Sequence, residues 1–448
     1  MGNSPNSFHL VVSKIEANNP EIEELDLETH DLGDKRVRLL SEALRQNNTL
    51  QLLNLSACNV TATGARFLSD AICSVIITSN IRRLNLSNNP KMGPEGGHYL
   101  ANALQNNKIL EHLKVNQCGL GDEGFSPIAC ALASNRSLSV LESGDNNITD
   151  EGAQSLSEAL KLNTTLEGIS LWHNLIKSHG AQHLAEGLSV NKSMIWIGLG
   201  SNMIGAEGAW AFAEGIQGNV SLQWLGMGGN EIGDRGAMHL ATLLTGDACS
   251  VQSIGLGGNN ISDDGASHLA QALKSNTKLS SLGLGGNTIG DDGAQHLADM
   301  LTSNNTLQKL LLSSNVIGDT GVIHLATALE SNMGLETLLL AENPFGDEGG
   351  TTLTQTLCSH NKTLHTLDVR RTQMSRSGEK QLVKALEKKS AITKLGSGHD
   401  KQSPLMLIKG NENRQFREGQ ERRSEAAAAV KKYRNQAIPG MEDGFDVH

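Results

Sequence analysis

The sequence predicts an α/β solenoid in which short parallel strands form one wall and helices the opposite wall. Three observations carry that prediction. One phrase, LxxLxLxxN followed by xIGDxGAxxLAxAL and xxNxT, recurs along most of the 448 residues. Its ninth position runs through His30, Cys58, Asn89, Cys118, Asn146, Asn174, Asn202, Asn230, Asn259, Asn287, Asn315, Asn343 and Thr372, at intervals of 28 to 31 residues. Composition agrees, because 48 Gly, 38% apolar residues and 3% aromatics suit a thin repeated core better than three aromatic-filled globular ones.

Taken in order, residues 1–21 read as an N-terminal cap, with Phe8 to Ile15 as a short helix over the open end of the core. Residues 22–400 read as a solenoid of about 13 repeats with its C-terminal cap. In the unit that starts at Leu279, Leu282 and Leu284 alternate with the period of a strand. Ile289, Ala294, Leu297, Ala298 and Leu301 then follow at helical spacing, with Asp291 and Asp292 at the helix entrance, where acidic groups meet free amides and the positive dipole end. One unit cannot bury its own leucine stripe, so stacked units must share a core. The ladder asparagines are placed to satisfy turn backbone of their own and adjacent units. A Lys-rich last helix over 377–389 and an incomplete fourteenth strand at Ile392 to Leu395 precede a basic tail, 401–448, read as partly helical or disordered.

The phrase resembles the ribonuclease-inhibitor class of leucine-rich repeat, in the short form shared with the C-terminal repeats of NOD-like receptors, over about residues 22 to 395. That resemblance implies a horseshoe with a concave parallel sheet and convex helices. The chain differs from ribonuclease inhibitor in lacking alternating Cys and Asn at the ladder position and in its few cysteines, which argues against ribonuclease as the ligand. No GxxxxGK[ST] phrase precedes the repeats.

Charge divides unevenly. Residues 1–372 carry 22 basic and 38 acidic side chains, and residues 373–448 carry 15 and 10. An acidic array disfavours nucleic acid as the main ligand, since phosphate binding needs Lys and Arg. The N-terminus lacks the features of a secretory signal, and no apolar run reaches the ~18 residues of a membrane span. Cys58, Cys73, Cys118, Cys130, Cys249 and Cys358 form no CxxC pair, so buried free thiols in a reducing, cytoplasmic compartment are expected. Asn147, Asn163, Asn191 and Asn361 head Asn-x-Ser/Thr triplets that belong to the repeat phrase, and no glycosylation is read from them. Met1-Gly2 with Ser7 approaches a myristoylation signal, but Asn6 stands where Ser or Thr is required, leaving only a weak case for an N-terminal lipid anchor and a membrane-tethered sensor.

The sequence offers no defensible catalytic constellation, cofactor or metal site, and the chain is expected not to be an enzyme. His183, His239, His268, His296 and His324 share one helix position, but helices of neighbouring units stand about 8–10 Å apart, too far for convergence on a metal. LGLGGN lacks the third glycine of a dinucleotide loop, and GDDGA lacks the alternating oxygens and distal Glu of a calcium loop. A GTPase-activating protein similar to the Ran-specific ones is the enzymatic-regulator alternative, but those usually end in an acidic segment, whereas this tail is basic.

The concave face is more informative. With the leucine pair inward, positions 3, 5 and 7 of each repeat point outward. Both ends of the array are polar there. Between them stand Trp172, Trp196 with Gly198 and Gly200, Trp224 with Gly226 and Gly228, then Gly255, Gly257, Gly283 and Gly285, with no charge across repeats six to ten. Exposed tryptophans beside bare backbone suit the binding of a protein or peptide. The expected partner site is Trp172, Trp196, Trp224, Gly198 and Gly226, extended by Leu311 and Leu339 and flanked by Arg83, Lys114, Glu142 and Lys309. Trp210 is assigned to helix packing on the outer wall. The reading is a protein-interaction scaffold.

Overall fold

Each repeat spends three residues on a strand and 11 to 14 on a helix, which is as much as one apolar pair and one apolar stripe can anchor. A computed structural model describes residues 5–73, 79–246, 250–389, 391–397 and 406–407. The chain divides into two compact units, Met1–Gly255 and Leu256–His448.

The first unit contains strands β1 (Glu24–Asp26), β2 (Leu52–Asn54), β3 (Arg83–Asn85), β4 (His112–Lys114), β5 (Val140–Glu142), β6 (Gly168–Ser170), β7 (Trp196–Gly198), β8 (Trp224–Gly226) and β9 (Ser253–Gly255). They pair in parallel in chain order, each repeat in register with the next. The helices are α1 (Pro5–Glu16), α2 (Gly33–Leu44), α3 (Ala62–Ile72), α4 (Gly93–Asn106), α5 (Gly121–Leu132), α6 (Asp150–Leu160), α7 (Ser178–Val190), α8 (Gly205–Gly215) and α9 (Gly233–Thr245). The middle residue of each strand, from Leu25 and Leu53 to Ile197 and Leu225, is buried beneath the helices. At the start, Phe8, Val11, Val12 and Ile15 of α1 are buried, and α1 packs on α2.

The second unit contains α10 (Asp263–Leu273), β10 (Ser281–Gly283), α11 (Asp291–Leu301), β11 (Lys309–Leu311), α12 (Asp319–Leu329), β12 (Thr337–Leu339), α13 (Asp347–Ser359), β13 (Thr366–Asp368), α14 (Arg376–Lys389), β14 (Lys394–Gly396) and β15 (Met406–Leu407). Strands β10 to β14 run parallel, and β15 closes on β14 antiparallel. The basic tail lies outside the described residues apart from Met406 and Leu407, as do Cys249 and the Met1-Gly2 terminus.

The asparagine ladder works between repeats as its chemistry demands. Asn287 Nδ2 donates to the carbonyls of Leu256 and Leu284, while its Oδ1 accepts from the amides of Asn259 at 2.9 Å and Ile261 at 3.0 Å. The sequence reading expects no Cys/Asn alternation, yet the ladder does alternate at its start. Cys58 and Cys118 take the asparagine place on either side of Asn89, each thiol within hydrogen-bonding reach of a carbonyl of the preceding repeat, Leu27 at 2.9 Å and Leu86 at 3.2 Å. Burial pushes the Cys58 thiol up to about 11 and the Cys118 thiol up to about 12, so neither ionises at neutral pH. The expectation of uniformly buried thiols is corrected elsewhere: Cys130 is exposed, and Cys73 and Cys358 are half-buried on the outer wall.

A second asparagine column, that of the NxT phrase, is also inside. Asn163 Nδ2 donates to Leu132 O, and its Oδ1 accepts from the amides of Thr165 and Leu166. Asn163, Asn191 and Asn361 are therefore sealed against glycosylation, whereas Asn147 is exposed on a left-handed turn.

The acidic residues at the helix entrances act differently from expectation. Asp291 does not cap its own helix α11. Its Oδ1 accepts from the amides of Gly318 at 2.7 Å and Gly321 at 2.8 Å, at the start of α12 in the next repeat. Asp263 does the same for Gly290 and Gly293, and Asp319 for Gly346 and Gly349. The glycine that follows in the phrase is there for this contact: a Cβ on Gly293 would stand 2.5 Å from Asp263 Oδ1 and 2.7 Å from Ile289 Cγ2.

Candidate functional site

Positions 3, 5 and 7 of the first unit form its exposed strand face, and the indoles there lie across the glycines rather than beside them. Trp172 covers Gly144 of the preceding repeat, Trp196 covers Gly168, and Trp224 leans over Gly226 and against the Gly198 position. A Cβ at Gly144 or Gly168 would fall inside the neighbouring indole. Glycine at these points therefore seats a tryptophan, and the backbone floor around Gly198 and Gly226 is covered instead of bare.

Exposure sorts the three rings. Trp196 pairs with Trp224 in register and meets it edge to face, with centroids 6.3 Å apart at 72°. Shielded by that ring and seated on Gly168, Trp196 is only 8% exposed, which corrects the expectation of three solvent-facing indoles. Trp224 is half-buried. Trp172 is 40% exposed and stacks on His173 at 5.7 Å and 27°, with His173 Nδ1 3.0 Å from Asp145 Oδ1. His173 adopts a left-handed turn conformation, φ +52°, which helps hold its ring under the indole.

The first-unit margin residues are not equivalent. Glu142 is almost wholly buried: Oε1 lies 2.8 Å from His112 Nε2 and 3.0 Å from Lys114 Nζ, and Oε2 accepts from Asn116 Nδ2. Burial alone would raise its pKa, but the hydrogen bond from His112 and the charge of Lys114 outweigh it and hold the carboxyl below the ordinary value. Glu142 thus fixes Lys114 and His112 of the neighbouring strand β4 and has almost no surface of its own to offer. Arg83 is exposed on β3 and pairs with Glu24 at 3.3 Å.

In the second unit, Lys309 is exposed and in register with Thr337, and half-buried Leu311 is in register with half-buried Leu339. Leu339 stands next to Asp368, which is buried in an ion pair with Arg370 at 2.6 Å.

Sequence reasoning missed His173, Leu175 and Met203. Leu175 and Met203 are 41% and 42% exposed, each three residues past position 7 of its repeat, where other repeats place residues such as Glu231, Asn260 and Thr288. Their apolar character at a mostly polar position was the available signal. Trp210 lies on α8 as assigned, but is 48% exposed there. Among the described residues, no three His, Cys, Asp or Glu side chains converge as a metal would require, and no helix is long and apolar enough to cross a membrane.

Comparison with known proteins agrees with the geometry. The Leucine Rich repeat family matches residues 46–69, 79–101, 106–129, 134–157, 218–241, 248–270, 275–298 and 303–326. Human NACHT, LRR and PYD domains-containing protein 5 is 35% identical over 114 residues, 25% of this chain and 9% of that protein. Mouse ribonuclease inhibitor is 37% identical over 113 residues, 25% of this chain and 24% of that protein. The similarity thus spans a small part of either relative. A chain of the yeast Rad7 and Elc1 complex superposes with TM-score 0.50 at 17% identity, covering 91% of this chain and 93% of that one, and shares the fold. Such a repeat scaffold is suited to protein–protein interaction, and the chain carries leucine-rich repeats similar to those of ribonuclease inhibitor.

Proposed function

We propose that the chain is a non-enzymatic, cytoplasmic scaffold that binds a protein or peptide on the strand face of its first unit. The observation that carries this reading is Trp172. A 40%-exposed indole, stacked on His173 and seated on Gly144, is a large apolar surface already fixed in one orientation, so little entropy is lost when a partner covers it. Trp224 adds a second ring, with Trp196 beneath as its support. Leu175 and Met203 extend the apolar surface at the turn rim, and Lys114 and Arg83 supply charge at the margin. Gly198 and Gly226 give Trp224 its place. In the second unit, Leu311, Leu339 and Lys309 make a smaller patch of the same kind. The relative named ribonuclease inhibitor supports a protein ligand without indicating which one.

Quantitative affinity capture tests this. The full chain and its Trp172→Ala/Trp224→Ala variant would be compared as baits, with Trp210→Ala as the control for an exposed tryptophan on the helical wall. The reading expects a set of proteins lost by the double variant, by about tenfold or more in recovery, and kept by Trp210→Ala. Equal recovery by all three baits contradicts it.

A further inference from the structure

The helical wall of the first unit carries an apolar pair that the strand-face reading does not use. Trp210 on α8 and Met238 on α9 occupy the same position of adjacent repeats and are 48% and 37% exposed. The flanking repeats place Gln154, Gln182, Ser267 and Gln295 there, as a solvated helix face requires. A tryptophan and a methionine side by side on that face form surface that contact with water does not explain.

One turn nearer the helix start, the repeat favours an acidic residue, as at Glu95, Glu123, Glu151, Glu207, Asp264 and Asp292, but α9 has Arg235. A cation in the first turn of a helix opposes the positive end of its dipole. Arg235 Nη1 lies 2.9 Å from Glu207 Oε1, yet both side chains are largely exposed, and a surface pair of this kind adds little stability. The apolar and the cationic departure from the repeat thus stand on one pair of helices, a single turn apart.

We propose that this wall binds a second copy of the chain, across a two-fold axis that runs parallel to α8 and α9 midway between them. Such an axis sets α8 of each copy over α9 of the other. The Glu207–Arg235 contact shows that the two helices are level at that row. Glu207 therefore meets the second copy's Arg235, and Trp210 meets its Met238, a thioether against an indole. The same operation sets exposed Glu214 against exposed Thr242, so these helices bring no like charges together. An axis running across the helices would instead bring Glu207 to Glu214 of the other copy. In the favoured arrangement each Arg235 lies between two carboxylates, one from either chain, which gives a cation at this helix start its reason. Self-association here is separate from capture on the strand face, because the residues involved project from the helices. Trp210→Ala therefore alters recovery of the chain itself and not of a strand-face partner.

Sedimentation equilibrium of the full chain over a wide range of concentration tests the proposal. The native chain should pass reversibly between monomer and dimer. Glu207→Arg and Arg235→Glu, each alone, should weaken the dimer by about tenfold or more, because each sets like charges across the axis. An equimolar mixture of these two variants should dimerise at about the native strength, since every charge then meets its opposite, a result that misfolded variants could not give. Trp210→Ala/Met238→Ala should weaken the dimer by about tenfold or more while the melting temperature of the monomer holds. A chain that stays monomeric at every concentration, a dimer that both charge variants leave intact, or a mixture no stronger than either variant alone overturns the proposal.

Discussion

Asn287 shows how much a single side chain can be asked to do in a repeat. Its amide reaches three carbonyls and two amides in its own and the preceding repeat, all of them buried. Replacement by leucine leaves those groups unpaired, and about 1–3 kcal/mol is lost for each buried polar group without a partner. Chemical denaturation of Asn287→Leu should therefore show a loss of at least ~2 kcal/mol. Glu142 gives a pH signature instead. Its folded-state pKa is held below the ordinary 4.5, so its contribution to stability is present above that value and fades as pH falls through the lower, folded value. The stability gap between the native chain and Glu142→Gln should hold from neutral pH to about pH 5 and shrink on further acidification. A gap independent of pH would show that Glu142 acts by packing alone. The ladder asparagine was readable in the sequence because both its chemistry and its spacing recur; the burial of Glu142 was not, because nothing in the strand sequence says that His112 and Lys114 converge on it.

At the scale of the element, the informative difference lies in the helix entrances. The sequence places Asp291 at the start of α11, and the expectation that it caps its own helix follows from one repeat considered alone. The stacked array instead brings Asp291 to the free amides of α12, with Gly318 and Gly321 stripped of side chains to admit it. Strand and helix positions could be inferred from period two giving way to period 3.6 within one repeat. A contact whose partners are 27 and 30 residues apart could not, because it exists only once neighbours are stacked. The arrangement makes the starts of α11, α12 and α13 depend on the repeat before each. Asp291→Ala should destabilise the second unit by about 2 kcal/mol and raise hydrogen exchange at the first turn of α12 more than at that of α11. Equal exchange at both helix starts would restore the simpler capping scheme.

For the whole molecule, the sequence is a reliable guide to architecture and a partial one to the layout of side chains on the strand face. The glycine and tryptophan positions were assigned to the correct face, but their relation was inverted. Of the glycines read as open floor for a partner, Gly198 and Gly226 lie against Trp224; Gly144 and Gly168, which the sequence reading does not single out, seat Trp172 and Trp196, and Trp196 is spent on supporting Trp224. Alternation along a strand says which way a side chain points. It does not say how far a ring folds back over its neighbour. What remains exposed is narrower and better ordered than expected: Trp172 on its histidine, Trp224, and the apolar rim at Leu175 and Met203. The measurement that tests this most directly is hydrogen exchange and side-chain footprinting of the chain with and without a protein recovered through the strand face. The account predicts protection at Trp172, Trp224 and the backbone of β6 to β8, with α6 to α8 unchanged. Protection confined to those helices, with Trp172 as accessible in the complex as in the free chain, would contradict it.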